Sequence, residues 1–412
     1  MSQKPLPTQP EVNIGTLGHV DNGKSTLVQA LTNQWTARHS EELKRGITIR
    51  IGYADAAFYK CEACGVYGTE ETCSKCGSTA QYLRSVSFVD CPGHHSLMVT
   101  MLSGATLMDG ALLILSATES CPQAQDREHL AAAEIVGIDK LVVIQNKIDV
   151  VERQRSLESF REIQDFVKGT VAEGAPIIPV SAQRGVNTEL VIEMIQKLIP
   201  TPKRELNKPP LMPILRSFDV NKPGTSADEI GGGVIGGSIS QGVFEVGTEV
   251  EIRPGIRIER GGRVYYQPLI TDIVSLHAAG KSVEKATCGG LIGVGTLLDP
   301  ALTKADSLVG NIVGKPDNLP PVLNQISIEV ELFERAIGTK NLQKVQKIRT
   351  NEALVLNAGT AVTAGVVTSA RDDVADISLR RPVCTEANTR VAISRRIGDG
   401  WRLIGFGKIE KG

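Results

Sequence analysis

An apolar run, Val12–Leu17, leads straight into Gly18-His19-Val20-Asp21-Asn22-Gly23-Lys24-Ser25, and a helix-like stretch, Ser25–Leu31, follows. No other feature constrains the fold as tightly. A strand that turns through a glycine-rich loop into a helix gathers backbone N–H groups at a helix N-terminus, where the dipole favours anions. The spacing of glycines, lysine and serine is that of a phosphate-binding loop. In such a loop Lys24 reaches the β- and γ-phosphates of a nucleotide, and the Ser25 hydroxyl ligates Mg²⁺. Asp21, Asn22, Gly23, Lys24, Ser25 and Thr26 are the expected phosphate-side contacts.

Four companion motifs follow in order: Arg45-Gly46-Ile47-Thr48, Asp90-Cys91-Pro92-Gly93-His94, Asn146-Lys147-Ile148-Asp149, and Ser181-Ala182-Gln183. The third names the base. Asp149 can accept from guanine N1–H and N2–H₂, a donor pair that adenine lacks. Asn146 can meet the other edge of the base, the Lys147 stem can lie along the ring, and the Ala182 N–H can reach O6, with Ser181 and Gln183 beside it. Against adenine, Asp149 is left unpaired, a mismatch worth roughly 10⁴–10⁵ in selectivity. Alone, Asn-Lys-x-Asp reads as a surface turn. Here it follows the apolar run Leu141–Gln145, and so lies at a strand's carboxyl end, where open α/β sheets bind ligands. The expected ligand is GTP or GDP rather than ATP.

The other two motifs read the γ-phosphate. Thr48, on the polar stretch Thr36–Arg50, can offer its hydroxyl to Mg²⁺ when the loop closes over a triphosphate. Asp90 ends the apolar run Ser85–Val89 and can hold Mg²⁺ through water, since that ion keeps several of its waters. The Gly93 N–H can reach the γ-phosphate, whose loss releases both loops. His94 is placed to orient an attacking water. His95 has no such role and begins a helix.

A separate signal is Cys61-x-x-Cys64 with Cys73-x-x-Cys76, each pair followed by glycine, Gly65 and Gly77. Two such knuckles suit four thiolates around Zn²⁺, a closed structural site without an open position for catalysis. An Fe–S centre uses the same ligands and stays open as an alternative. Disulfides fit less well: the other cysteines (91, 121, 288, 384) are scattered and no export signal is read, which favours a reducing cytoplasm.

At 412 residues, with a net charge of −1, the chain exceeds one core and has no global field to attract nucleic acid. From Arg371 onward nine basic residues face six acidic ones, a mild bias. No apolar run is long enough to cross a bilayer. Up to about Pro200, strand-like runs (12–17, 85–90, 111–116, 141–145, 176–180) alternate with helical patterns (123–137, 156–169, 187–199), the pattern of a mostly parallel sheet with helices on both faces. A proline-rich linker follows. Beyond it glycines crowd among β-branched residues without a following helix, so they read as barrel turns rather than a phosphate site. A third block, from near Pro320, reads as short strands (325–333, 362–369, 391–394, 401–406), with Trp401 expected in a core. The expected architecture is an α/β P-loop GTPase domain over 1–204 with a zinc knuckle inserted at 58–80, then two β-barrel domains, 205–320 and 321–412.

The motifs Gly-His-Val-Asp-x-Gly-Lys-Ser, Arg-Gly-Ile-Thr-Ile and Asp-Cys-Pro-Gly-His resemble those of translational GTPases of the elongation factor Tu branch, and Gly231–Ile252 resembles that branch's second-domain barrel. The cysteine insertion and the run from Arg381-Pro-Val-Cys-Thr-Glu386 through Ser394-Arg-Arg396 to Trp401–Gly407 are similar to the γ subunits of archaeal and eukaryotic translation initiation factor 2. The resemblance covers Glu11 to Ile409, and the short N-terminal tail favours the archaeal form. It implies GTP and Mg²⁺ binding, slow hydrolysis without ribosomal activation, and delivery of methionylated initiator tRNA to the small ribosomal subunit. It also implies a heterotrimer with α and β subunits, no role at DNA or membranes, and a second, weaker Mg²⁺ held by Asp21 and the Gly46 carbonyl. Asn22 stands where the elongation-factor relatives usually carry histidine. Two rival families share the GTPase motifs: selenocysteine-specific elongation factors, expected to carry a long extra C-terminal part, and the GTPase subunit of sulfate adenylyltransferase. Neither is expected to have the four-cysteine knuckle.

Overall fold

A computed structural model describes residues 5–36, 48, 51–94, 97–222, 224–226, 229–336, 344–398 and 400–411. The chain forms two compact units, one built mainly from Leu6–Pro202 and the other from Lys203–Arg335 and Lys344–Gly412.

The first unit is a seven-stranded mixed sheet. Its elements along the chain are β1 (Val12–Leu17), α1 (Lys24–Thr32), β2 (Gly52–Lys60), β3 (Tyr67–Gly68), β4 (Gln81–Asp90), α2 (Met98–Ala105), β5 (Gly110–Ser116), α3 (Ala124–Val136), β6 (Leu141–Asn146), α4 (Arg153–Val167), β7 (Ile177–Pro179) and α5 (Thr188–Leu198). The strand order is β3-β2-β4-β1-β5-β6-β7, with β4, β1, β5, β6 and β7 parallel and β2 antiparallel to β4. β1, β5 and β6 are buried along their whole length, as parallel strands covered on both faces must be. One side of the sheet packs Val12, Ile14, Phe88, Leu112, Ile114, Val142 and Ile144 against Leu27, Val28 and Leu31 of α1 and Val191, Ile192 and Ile195 of α5. Because β1 lies between β4 and β5, the chain leaves its carboxyl end at a point where the connections diverge, the position at which doubly wound sheets bind ligands.

Strand β2 escaped the sequence reading, and helix α2 starts later than His95. In β2 the core-facing side chains are Ala54, Ala56 and Phe58, so small residues mute the alternation that marks a strand. Helix α2 follows His94 by a few residues, and the residue expected to begin it, His95, lies outside the described residues.

The second unit holds two barrels. In the first, strands Glu249–Arg260, Ile312–Gly314, Leu211–Phe218, Val234–Gly237, Ile292–Thr296 and Arg263–Ala278 are neighbours in that order, and pairing of the first with the last closes the ring. Met212, Ile214, Phe244, Val250, Ile252, Leu276, Val294 and Val313 fill it. The second is closed by strands Val322–Leu332, Val374–Cys384, Ala361–Arg371, Ala353–Ala358, Arg390–Ile397 and Gly400–Lys411, around Ile326, Ile328, Leu354, Leu356, Ile377, Ile393 and Ile404. Closure removes the unpaired sheet edges that would otherwise recruit other chains. Trp401 corrects its expected place: it is 37% exposed. It pairs with Arg396 beside the turn of a hairpin, whereas Leu403 and Ile404 further along are buried, so the strand's apolar run continues past the core.

No helix among the described residues is long and apolar enough to cross a membrane.

Candidate functional site

The carboxyl ends of β1, β4, β5 and β6 bring the motif residues together. Lys24 opens α1; its ammonium donates to the carbonyls of Gly18 (2.9 Å) and His19 (2.8 Å), drawing the loop closed around it. Burial pushes its pKa down, opposed by the charge of Asp90. Gly93 sits hard against this loop: a Cβ there would lie 2.4 Å from Lys24 Nζ and 2.8 Å from the Val20 nitrogen. Only glycine lets the Asp90–His94 segment approach so closely.

Asp90 is the hub of a cluster of hydroxyls. Its Oδ2 accepts from Ser25 Oγ (2.6 Å) and Thr36 Oγ1 (2.5 Å), and its Oδ1 from Thr16 Oγ1 (2.9 Å). Thr48 Oγ1 lies 3.1 Å from Ser25 Oγ. One carboxylate ringed by hydroxyls is a hard oxygen set, the kind Mg²⁺ selects. Ser25, Thr48 and Asp90 thus meet, as expected. Thr16 and Thr36 join them, which the sequence reading missed because no motif spacing marks either one. Gly46 lies outside the described residues, and Asp21 is exposed at the loop's crest with φ 66°.

The base-side motifs also converge. Asn146 Nδ2 donates to the Asn22 carbonyl (2.8 Å) and its Oδ1 accepts from the Ala182 N–H (3.1 Å), tying the phosphate loop to the Ser181–Gln183 loop. A hydrogen bond from the Ser181 hydroxyl, helped by a 3.3 Å contact from Arg184 Nε, lowers the pKa of the Asp149 carboxylate, so it is ionised and acceptor-only. Lys147 adopts a left-handed backbone, φ 64°, that turns the chain sharply between Asn146 and Asp149. Asn22 is buried, its amide donating to the Ile114 carbonyl (2.8 Å) and to Asp126 Oδ1 (3.1 Å). His94 follows Gly93, and its carbonyl accepts from the Leu97 N–H at 2.8 Å.

Away from this site, the four knuckle cysteines gather. Their sulfur atoms lie within 4.8 Å of one another, with Cys61–Cys76 at 3.4 Å, Cys64–Cys73 at 3.5 Å and Cys76–Cys64 at 3.7 Å. A disulfide would need about 2.0 Å; a tetrahedron with metal–sulfur bonds of about 2.3 Å has edges near ~3.8 Å. The two half-sites are built alike. Cys61 N–H donates to the Val66 carbonyl and Gly65 N–H to the Cys61 carbonyl; Cys73 N–H donates to Ser78 and Gly77 N–H to Cys73, all at 2.8–2.9 Å. Gly65 and Gly77 supply the left-handed turns, φ 70° and 73°. Hydrogen bonds from the Ser78 hydroxyl and amide hold Cys76 down at about 6, so it is a thiolate at neutral pH, the form a metal needs.

The sheet, the phosphate loop and the guanine-side loop define a GTP-binding protein of the elongation factor Tu class. In agreement, residues 9–201 match the elongation factor Tu GTP binding domain, and residues 324–409 match the C-terminal region of initiation factor eIF2 gamma. The chain belongs to the translation initiation factor 2 subunit gamma family, and is therefore a translational GTPase. It is 58% identical over 413 residues to that subunit of Archaeoglobus fulgidus, covering 100% of this chain and 96% of the relative. It is 55% identical over 410 residues to that of Methanocaldococcus jannaschii, covering 100% of both. Among solved structures, a bacterial selenocysteine-specific elongation factor superposes with a TM-score of 0.71 at 21% identity, over 96% of this chain and 58% of that one. Elongation factor SelB of Methanococcus maripaludis, solved with the GTP analogue GPPNHP, gives 0.71 and 21% over 100% of this chain and 80% of that one. At that identity the likeness is one of fold.

Proposed function

We propose that this chain is the GTP-switched subunit that carries methionylated initiator tRNA to the small ribosomal subunit, in a cytoplasmic heterotrimer with α and β subunits. The full-length identity to initiation factor 2 gamma subunits carries this reading. Three parts share the work: residues 1–204 bind the nucleotide and dock the β subunit, the barrel of 205–320 docks the α subunit, and the barrel of 321–412 completes the chain.

At the nucleotide, Asp21–Thr26 hold the phosphates, with Lys24 on the β and γ groups and the Gly93 N–H on the γ. Asp149 reads guanine, with Asn146, Lys147, Ser181, Ala182 and Gln183 shaping the base pocket. Ser25 and Thr48 are the direct ligands of Mg²⁺ and Asp90 holds it through water; Asp21 and Gly46 serve a second, weaker ion. When bound, Mg²⁺ neutralises charge on the phosphates. His94 orients the attacking water. Cys61, Cys64, Cys73 and Cys76 hold a structural Zn²⁺.

The test is to recover the chain with its α and β subunits from cells and identify the co-purifying RNA with GTP or GDP supplied. Enrichment of initiator tRNA with GTP and its loss with GDP is the expected result; no tRNA preference in either state overturns the reading.

A further inference from the structure

Helix α3 presents two buried acceptors to the back of the phosphate loop. Asp126 and His129 are three residues apart, hence on one face, and are 2% and 0% exposed. Asp126 Oδ1 accepts from the His19 N–H (2.9 Å) and from Asn22 Nδ2 (3.1 Å), while its Oδ2 accepts from the Gln123 N–H (2.9 Å) and caps the helix. His129 Nδ1 accepts from the Gly18 N–H at 3.0 Å. The ring proton therefore sits on Nε2, which is buried and has no hydrogen-bond partner among the described residues. A buried donor left unpaired costs stability, and a leucine would fill the space without that cost. What the imidazole contributes is the acceptor at Nδ1.

The first two amides of the loop are thus fixed from behind, and the phosphates must be met by the amides that follow. One carboxylate also joins the cap of α3 to the loop, so displacement of the first turn of α3 is passed directly to His19 and Asn22. We infer that Asp126 and His129 are positioning residues for the nucleotide, holding the phosphate loop in its binding shape and setting how long GTP and GDP remain bound. This rests on the reading of Gly18–Ser25 as a guanine-nucleotide phosphate loop. Both residues act on the loop rather than on the γ-phosphate, so the two nucleotides are affected by the same factor.

The experiment measures release of fluorescent GDP and a fluorescent non-hydrolysable GTP analogue from the full chain and its variants. Asp126→Asn and His129→Leu should release both nucleotides about tenfold faster or more, whereas His129→Gln, which keeps a carbonyl acceptor, should stay within about threefold of the parent. Because Asn22 donates to Asp126 as well as to the Ile114 carbonyl, adding Asn22→Ala to Asp126→Asn should accelerate release by less than the product of the two single effects. Parent-like release from folded Asp126→Asn and His129→Leu, fully additive double variants, or an effect on GTP alone would each overturn the inference. Should the variants fail to fold, amide exchange in the nucleotide-free parent decides it. Slow exchange at Gly18 and His19 supports the clamp, and exchange as fast as in an open loop refutes it. A parent that binds no guanine nucleotide refutes instead the reading on which the inference stands.

Discussion

On the proposed reading Asp149 selects the base, through a carboxylate that Ser181 and Arg184 hold ionised. Replacing it with Asn puts a donor opposite guanine N1–H and N2–H₂ and should move preference toward xanthine, whose carbonyl can accept. Competition among GTP, XTP and ATP checks this: GTP should weaken by at least about tenfold while XTP gains. His94→Ala should cut hydrolysis by about 10²-fold or more and change GTP affinity little, because the imidazole is assigned to the transition state; equal losses in both would make the residue structural. Asp55 carries a pH signature. Burial on β2 lifts its carboxyl from 3.8 to about 6. The folded chain therefore keeps a proton that the unfolded chain has lost between these values, and stability falls as pH rises from 3.8 to about 6. Above that window the penalty levels off at about 3 kcal/mol. Asp55→Asn should raise the melting temperature at pH 7.5 and lose that advantage by pH 4; parallel melting profiles would show that Asp55 is not the source.

Among the elements, the cysteine knuckle is where the proposed Zn²⁺ would supply stability. Its own apolar cluster is small: Ala57, Tyr59, Cys61, Cys73 and Ala80, with Leu6, Cys64 and Tyr82 at its edge. Four thiolates on Zn²⁺ supply roughly 10–16 kcal/mol in comparable small sites, more than such a cluster can. Cys61→Ser with Cys64→Ser should abolish bound metal, measured per chain, and give fast amide exchange over 60–80, while GTP affinity stays within about tenfold. Loss of GTP binding together with the metal would mean that the knuckle supports the nucleotide site. The elements most legible in the sequence were those with long apolar runs: β1, β5 and β6 lie where expected to within a residue. Strand β4 begins earlier than its apolar run because Arg84 is buried there, its guanidinium donating to the Ile195 and Ile199 carbonyls at the end of α5. A buried arginine that closes a distant helix leaves no local periodicity to read.

Taken whole, the molecule keeps every described residue of the nucleotide site within Leu6–Pro202, a unit with its own core. A chain ending near residue 204 should therefore bind GDP within about tenfold of the full chain, measured by calorimetry. A complete loss would show that the barrels are needed to hold the site together. The sequence by itself determined the ligand class, the four-cysteine cluster and the family, because these chemistries act over short stretches: a phosphate loop, Asn-Lys-x-Asp and paired Cys-x-x-Cys place their groups through local backbone geometry. Only the tertiary structure decided that Thr16 and Thr36 complete the hydroxyl ring around Asp90, that Asn146 braces two loops, and that Asp126 and His129 grip the phosphate loop. Those partners lie between 36 and 124 residues apart, and strand order brings them within hydrogen-bonding distance. A pattern read along the chain sees spacing, whereas a hydrogen bond answers to distance in space, which here is fixed by β1 lying between β4 and β5.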